Sequence, residues 1–154
     1  FHIWRESLLD FRRIDSDRSA YIPLLLEGDE DMAMLNRYLD RGDLFGLFDN
    51  EDVVTLALAT AEGDCAELMN IVTVEKHRGK GYGSLMLSYL SKEFSAYGYL
   101  IAGTGDCSPA RLFYEKNGFS LSGLRKGFFL QYDHPVIENG RMLTDMVLYR
   151  KRLG

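Results

Sequence analysis

The 154-residue sequence predicts an α/β (α+β) fold, a mixed central β-sheet flanked by helices. Three observations carry that expectation. An apolar, β-branched run, Ile71 to Val74, passes through glycines 79, 81 and 83 into an amphipathic stretch, Ser84 to Tyr97. A second apolar run, Leu100 to Thr104, leads into a helical pattern that stops at Gly118. Strand-like runs separated by turn residues precede and follow these two units, and a long hairpin closes the chain.

Phe1 to Asp15 reads as a strand leading into a loop, with Ile3 and Trp4 apolar. Tyr21 to Gly28 and Asp29 to Arg41 read as helices. The second has acidic Asp29, Glu30 and Asp31 at its positive end and stops at Gly42. Leu44 to Phe48 and Val53 to Ala61 read as strands around the turn Asp49-Asn50-Glu51-Asp52. Ala66 to Val74 is the strand before the glycines, where Asn70 is placed to mark a bulge. In Ser84 to Tyr97, Leu87, Leu90 and Phe94 fall on one helix face. Ser108 is placed to cap the next helix, Pro109 suits its first position, and Gly118 its end. Leu124 to Tyr132 and Leu143 to Arg150 read as the last two strands, joined by Asp133 to Gly140.

The length suits one domain over residues 1–154, burying about two-thirds of its unfolded surface. A net charge of −5 argues against a nucleic-acid partner and suits a cationic one. Cys65 and Cys107 make no disulfide framework, and no apolar run approaches the ~18 residues of a membrane span. Arg5, Glu6, Asp10, Arg12 and Arg13 break up the N-terminus, unlike a signal peptide. A reducing, cytoplasmic setting is expected. A chain that begins at Phe1 rather than Met leaves room for residues before it. His2, His77 and His134 lack metal-ligand spacing, so no metal is expected; His77 reads as a solvated loop residue.

The function is concentrated in Arg78-Gly79-Lys80-Gly81-Tyr82-Gly83-Ser84. Glycines bring bare N–H groups close to a bound group at the positive end of a helix, which suits a pyrophosphate, and Arg78 and Lys80 add charge at the rim. Serine at 84 breaks a GxGxxG fingerprint begun at Gly79, and Gly81 after Gly79-Lys80 breaks a GxxxxGK[ST] loop. What remains, Arg78-x-x-Gly81-x-Gly83, resembles the Gln/Arg-x-x-Gly-x-Gly/Ala signature of the GNAT family of N-acetyltransferases. Phe113-Tyr114-Glu115-Lys116-Asn117-Gly118-Phe119 is similar to a second motif of that family, in the family's order. The resemblance covers about residues 53 to 120.

The resemblance implies that the loop carries the pyrophosphate of acetyl-CoA, with Arg78, Gly79, Lys80, Gly81, Tyr82, Gly83 and Ser84 as binding residues. Ile71, Val72 and Thr73 on the preceding strand would line the cofactor arm and offer oxyanion donors. A lysine-like amine, of pKa about 10.4, must lose a proton before it can attack. Glu67, eleven residues before Arg78, is the candidate base by resemblance; the alternative reading, a solvated edge carboxylate, weighs somewhat more. Tyr114 is the candidate acid for the departing thiolate, or a core tyrosine with its hydroxyl bonded. Where the family often has asparagine, seven residues before that tyrosine, this chain has Cys107 beside Asp106. Cys107 reads as a cofactor contact or an inert thiol, and less readily as an acetyl acceptor.

Phe128 to Gly140 resembles the closing segment of a poorly characterised bacterial subgroup of the family. Tyr132, Asp133 and Glu138, with Glu27, Asp29 and Glu30, would then bind a cationic acceptor; an Asn139-Gly140 turn behind a core strand is the plainer reading. The expected activity is transfer of acetyl to a small-molecule primary amine by direct attack in a ternary complex. The alternatives are a non-catalytic acyl-CoA-binding module and a protein-lysine acetyltransferase. A homodimer through the last strands is implied by the family alone.

Overall fold

The computed structural model describes residues 8–29 and 31–154. His2, Ile3, Trp4 and Glu30, which the sequence brought forward, lie outside them. The first described strand, β1 (Leu9–Ile14), is followed by α1 (Ile22–Gly28), α2 (Met32–Asn36), β2 (Asp43–Asp49), β3 (Asp52–Glu62) and β4 (Cys65–Thr73). Then come α3 (Tyr82–Glu93), β5 (Tyr99–Gly105), α4 (Ala110–Lys116), β6 (Ser120–Arg125), a two-residue pair β7 (Ile137–Glu138) and β8 (Arg141–Met142), and β9 (Met146–Arg152).

Among the described residues, seven strands form one sheet in the order β1-β2-β3-β4-β5-β9-β6. Every pairing is antiparallel except β4 with β5. Period-two alternation divides the core between its two faces. Leu44, Phe48, Leu56 and Leu58 meet Leu25 of α1 and Leu35 of α2 on one side. Phe45, Leu47, Ala57, Ala59 and Ala66 meet Met86, Leu87 and Leu90 of α3 on the other. Both faces are covered, which is why β2 and β3 read as nearly continuous apolar runs. Leu87 and Leu90 are 1% and 0% exposed, and burying each stabilises the fold by about 1.5–3 kcal/mol.

Two expected elements differ. The helix over Asp29 to Arg41 shrinks to α2, because Asp31 caps it: its carboxylate accepts from the Met34 N–H at 2.9 Å, leaving Asp29 outside in extended conformation. Beyond Asn36 the chain continues in turns that bury Tyr38 and Leu39. The strand expected over Leu124 to Tyr132 is also displaced. β6 starts at Ser120 and ends at Arg125, and Gly127, at φ +67°, turns the chain into a short 3-10 turn over Phe128–Gln131. The Gly127 N–H donates to Asp145 at 2.8 Å, which holds that reversal. No helix among the described residues is long and apolar enough to cross a membrane.

Candidate active site

β4 and β5 pair only over Cys65–Leu68 and Tyr99–Ala102. A register shift in the β3–β4 ladder, where Leu58 faces Asn70 and Ala59 faces Leu68, places the extra residue of a bulge at Met69, beside the expected Asn70. Beyond it β4 leaves β5, and the gap opens a cleft through the sheet. Two cavities of about 620 and 880 Å³ meet there, both lined by Glu27, Gly28, Leu68, Met69, Gly103, Thr104 and Glu138. Asn70 fixes the bulge: it is 5% exposed and its Nδ2 donates to the Leu25 carbonyl at 2.9 Å and to Tyr38 Oη at 3.3 Å.

The larger cavity collects Ile71, Val72, Thr73, Arg78, Gly79, Gly81, Tyr82, Gly83 and Ser84. Gly79 and Gly81 adopt φ +78° and +86°, and a Cβ on either would meet nothing within 4 Å, so the loop leaves an open cradle. Gly81 begins α3 with no side-chain cap, so the first-turn N–H groups face that cradle without intrahelical partners. Gly83 serves a different purpose, since a Cβ there would come within 3.1 Å of Phe113 on α4. Arg78 reaches across to Glu27, Nη2 to Oε1 at 3.0 Å, while its Nε donates to the Thr73 carbonyl at 3.0 Å. Lys80 is exposed and does not line the cavity. His77, read as solvated, packs edge-on to Tyr82 and lines the cavity.

Tyr114 also lines this cavity while packing against Phe113, Phe119 and Tyr149. It is 6% exposed, and burial alone pushes its hydroxyl up to about 12, so the proton is held throughout neutral pH. Cys107 does not line the cleft. Its thiol points to Glu138, 3.6 Å from the carbonyl and 3.8 Å from Oε1.

The smaller cavity gathers Asp29, Asp31, Arg37, Tyr38, Glu67, Arg125, Phe129, Tyr132, His134 and Glu138. Both oxygens of Glu67 are engaged by Arg125, at 3.0 and 3.2 Å, a bidentate pair between β4 and β6. Asp29 accepts from Tyr38 Oη at 3.0 Å and from Tyr132 Oη at 3.4 Å. Desolvation lifts the Asp29 carboxyl above the ordinary aspartate range against those hydrogen bonds, and burial likewise raises Tyr38 and Tyr132. His134 Nδ1 donates to the Asp133 carboxylate at 2.7 Å and lies 3.6 Å from Asp31; the bond to Asp133 raises its pKa. Asp133 itself is exposed and outside the lining.

The sequence did not single out Arg125 or Tyr38. Arg125 ends a strand whose partner is remote, and Tyr38, three residues after Leu35, carries only the pattern of a core residue. No local signal marks either.

A family model described as an acetyltransferase (GNAT) domain matches residues 40–121. No curated protein matches the sequence. Among solved structures, a GNAT family acetyltransferase from Elizabethkingia anophelis with acetyl-CoA bound is similar, with 28% identity, 94% of this chain and 98% of that one covered, and a TM-score of 0.85. An IAA acetyltransferase from Bacillus cereus shares 26% identity over 94% and 99% of the two chains, with a TM-score of 0.83. A Bacillus subtilis acetyltransferase in complex with CoA, at 24% identity over 95% and 99%, has the same fold at a TM-score of 0.84.

Proposed function

Because the chain belongs to the GNAT acetyltransferase family, we propose that it is an acetyl-CoA-dependent N-acetyltransferase that acts on a small-molecule primary amine by direct transfer in a ternary complex. The observation that carries this reading is the through-going cleft, a backbone cradle at one end and a cavity rich in carboxylates at the other. The relatives with acetyl-CoA or CoA bound support the choice of cofactor. Residues of this chain fit that group: the open Gly79 and Gly81 cradle and the uncapped start of α3 suit a pyrophosphate, with Arg78 at its rim. Ile71, Val72 and Thr73 offer the strand edge that β5 leaves unpaired to the cofactor's arm. Bound acetyl-CoA supplies the acetyl group as a thioester.

The chain's own side chains then govern protons and orientation. Tyr114 Oη keeps its proton at neutral pH and delivers it into the cleft it lines. Glu27, Tyr132 and Glu138 lie at the acceptor end or at the junction, where their charge and hydroxyl attract and orient an ammonium group, while Glu67 beside them is paired with Arg125. The walled cavity of about 620 Å³ favours a small acceptor over an extended protein segment. Cys65 and Cys107 lie unpaired, in keeping with a reducing cytoplasm.

The test is calorimetric titration of acetyl-CoA into wild type and Gly81→Glu, followed by thiol release against a panel of primary amines. Micromolar binding lost in the mutant, with turnover of at least one amine by wild type, is expected. Binding without any turnover would leave a cofactor-binding module, and no binding by a folded wild type would sink the proposal.

A further inference from the structure

Of the carboxylates at the acceptor end, Asp29 is the one most fully surrounded by donors. It closes α1 in extended conformation (φ −137°, ψ 100°), so its side chain leaves the helix and enters the smaller cavity. Tyr38 Oη donates to one oxygen at 3.0 Å and Tyr132 Oη lies 3.4 Å from the other. Tyr38 is in turn fixed by Asn70, the buried side chain next to the β4 bulge, through Nδ2 at 3.3 Å. A chain of hydrogen bonds therefore runs from the point where the sheet opens to this carboxylate. Glu67, on the strand itself, is otherwise committed: Arg125 occupies both of its oxygens, and a proton on Glu67 would break that pair.

We infer that Asp29, and not Glu67, takes the proton from the acceptor amine, held in position by the hydroxyls of Tyr38 and Tyr132. The inference rests on the acetyltransferase reading. In the step an ammonium N–H bond breaks and an O–H bond forms on Asp29, so one positive and one negative charge become a neutral amine and a neutral acid. The proton then passes to solvent through the open mouth of the cavity. The environment suits a proton acceptor. Burial lifts the Asp29 carboxyl, the charge of Asp31 lifts it further, and bonds from Tyr38, the Asp31 N–H and Tyr132 hold it down. Glu27 of α1, Arg37 of α2's C-terminal cap, Arg41, Glu67 with Arg125, His134 beside Asp133, and Glu138 are the other charged or titratable groups around the same cavity.

The test takes the amine turned over fastest from the panel and follows kcat/KM against pH for wild type, Asp29→Asn, Tyr132→Phe and Glu67→Gln. Acetyl-CoA affinity is measured beside each. Wild type should show an acid limb set by a carboxyl above the ordinary aspartate range. Asp29→Asn should lose about 100-fold or more in kcat/KM and the acid limb with it, while binding acetyl-CoA as wild type does. Tyr132→Phe, which removes one bond holding the carboxyl down, should move the limb to higher pH. A rate for Asp29→Asn within about tenfold of wild type would overturn the inference. So would an acid limb that survives in Asp29→Asn and vanishes in Glu67→Gln, or loss of acetyl-CoA affinity along with rate. Wild type that turns over no amine fails at an earlier point and removes the enzyme reading as well.

Discussion

In the proposed reading, recognition at the cofactor end of the cleft comes from the stretch 78–84, contiguous in sequence and acting mainly through main-chain N–H groups. At the acceptor end it comes from Glu27 and Asp29, Glu67, Arg125, Tyr132 and Glu138, five separate stretches brought together by the sheet and acting through side chains. The first end depends chiefly on its backbone path, with left-handed φ at Gly79 and Gly81 and the close approach of Phe113 to Gly83. The second depends on identity at each position and on which partner each group has. On that reading, binding of the cofactor and choice of acceptor are under separate control in one molecule.

The largest effect expected from breaking this division is that of Gly81→Glu. A side chain at φ +86° costs about 1–2 kcal/mol, and its carboxylate enters the cradle, so acetyl-CoA affinity should fall by roughly 100-fold or more. Calorimetry on Asp29→Asn should meanwhile show wild-type affinity, and a parallel loss in both would mean the two ends are not separable. Next comes Tyr114→Phe. A proton donor lost from the cleft should lower kcat by about 100-fold with acetyl-CoA affinity unchanged, whereas a purely structural tyrosine would give near wild-type kinetics.

A smaller effect is expected from the Glu67–Arg125 pair. Its side chains are 24% and 38% exposed, so a double-mutant cycle of Glu67→Gln and Arg125→Met by chemical denaturation should give a coupling of about 1 kcal/mol that shrinks with added salt. The smallest effect concerns stability at Asp29. Its folded pKa lies above the ordinary 3.8, so the carboxylate costs stability once pH rises through the folded value, and that cost is absent below the unfolded one. Asp29→Asn should melt slightly higher than wild type at pH 7, and the gain should close as pH falls toward 3.8. A variant that melts lower at pH 7 would show that Tyr38 and Tyr132 more than offset the desolvation.

The same division explains what could be read beforehand. The strand–loop–helix unit around Gly81 and the second unit ending at Gly118 are local, and glycine needs and helix periodicity expose them in one pass. The bulge beside Asn70 was legible because a polar residue interrupts an apolar strand. The pairing of Glu67 with Arg125, 58 positions apart, has no local signature, nor does Tyr38 on Asp29. The two displaced elements failed for related reasons. The helix expected from Asp29 begins after Asp31, whose carboxylate caps it, and the aromatic run Phe128 to Tyr132, strand-like by propensity, yields to the left-handed turn at Gly127. Cys107 stood at a family position, but its thiol turns to the β7–β8 hairpin.

The parallel seam has a mechanical meaning. β1 to β4 form a continuous antiparallel meander, and β5, β9 and β6 form a second ribbon. Only four residue pairs, Cys65 to Leu68 against Tyr99 to Ala102, stitch the two ribbons edge to edge. The molecule is thus built like a bivalve, with its ligament at one end of the seam and its gape at the other. Helix α3, which leaves the first ribbon and returns the chain to the second, spans the joint as an adductor. Strain applied across the gape falls on those four pairs, so amide exchange there should report how far the shells part.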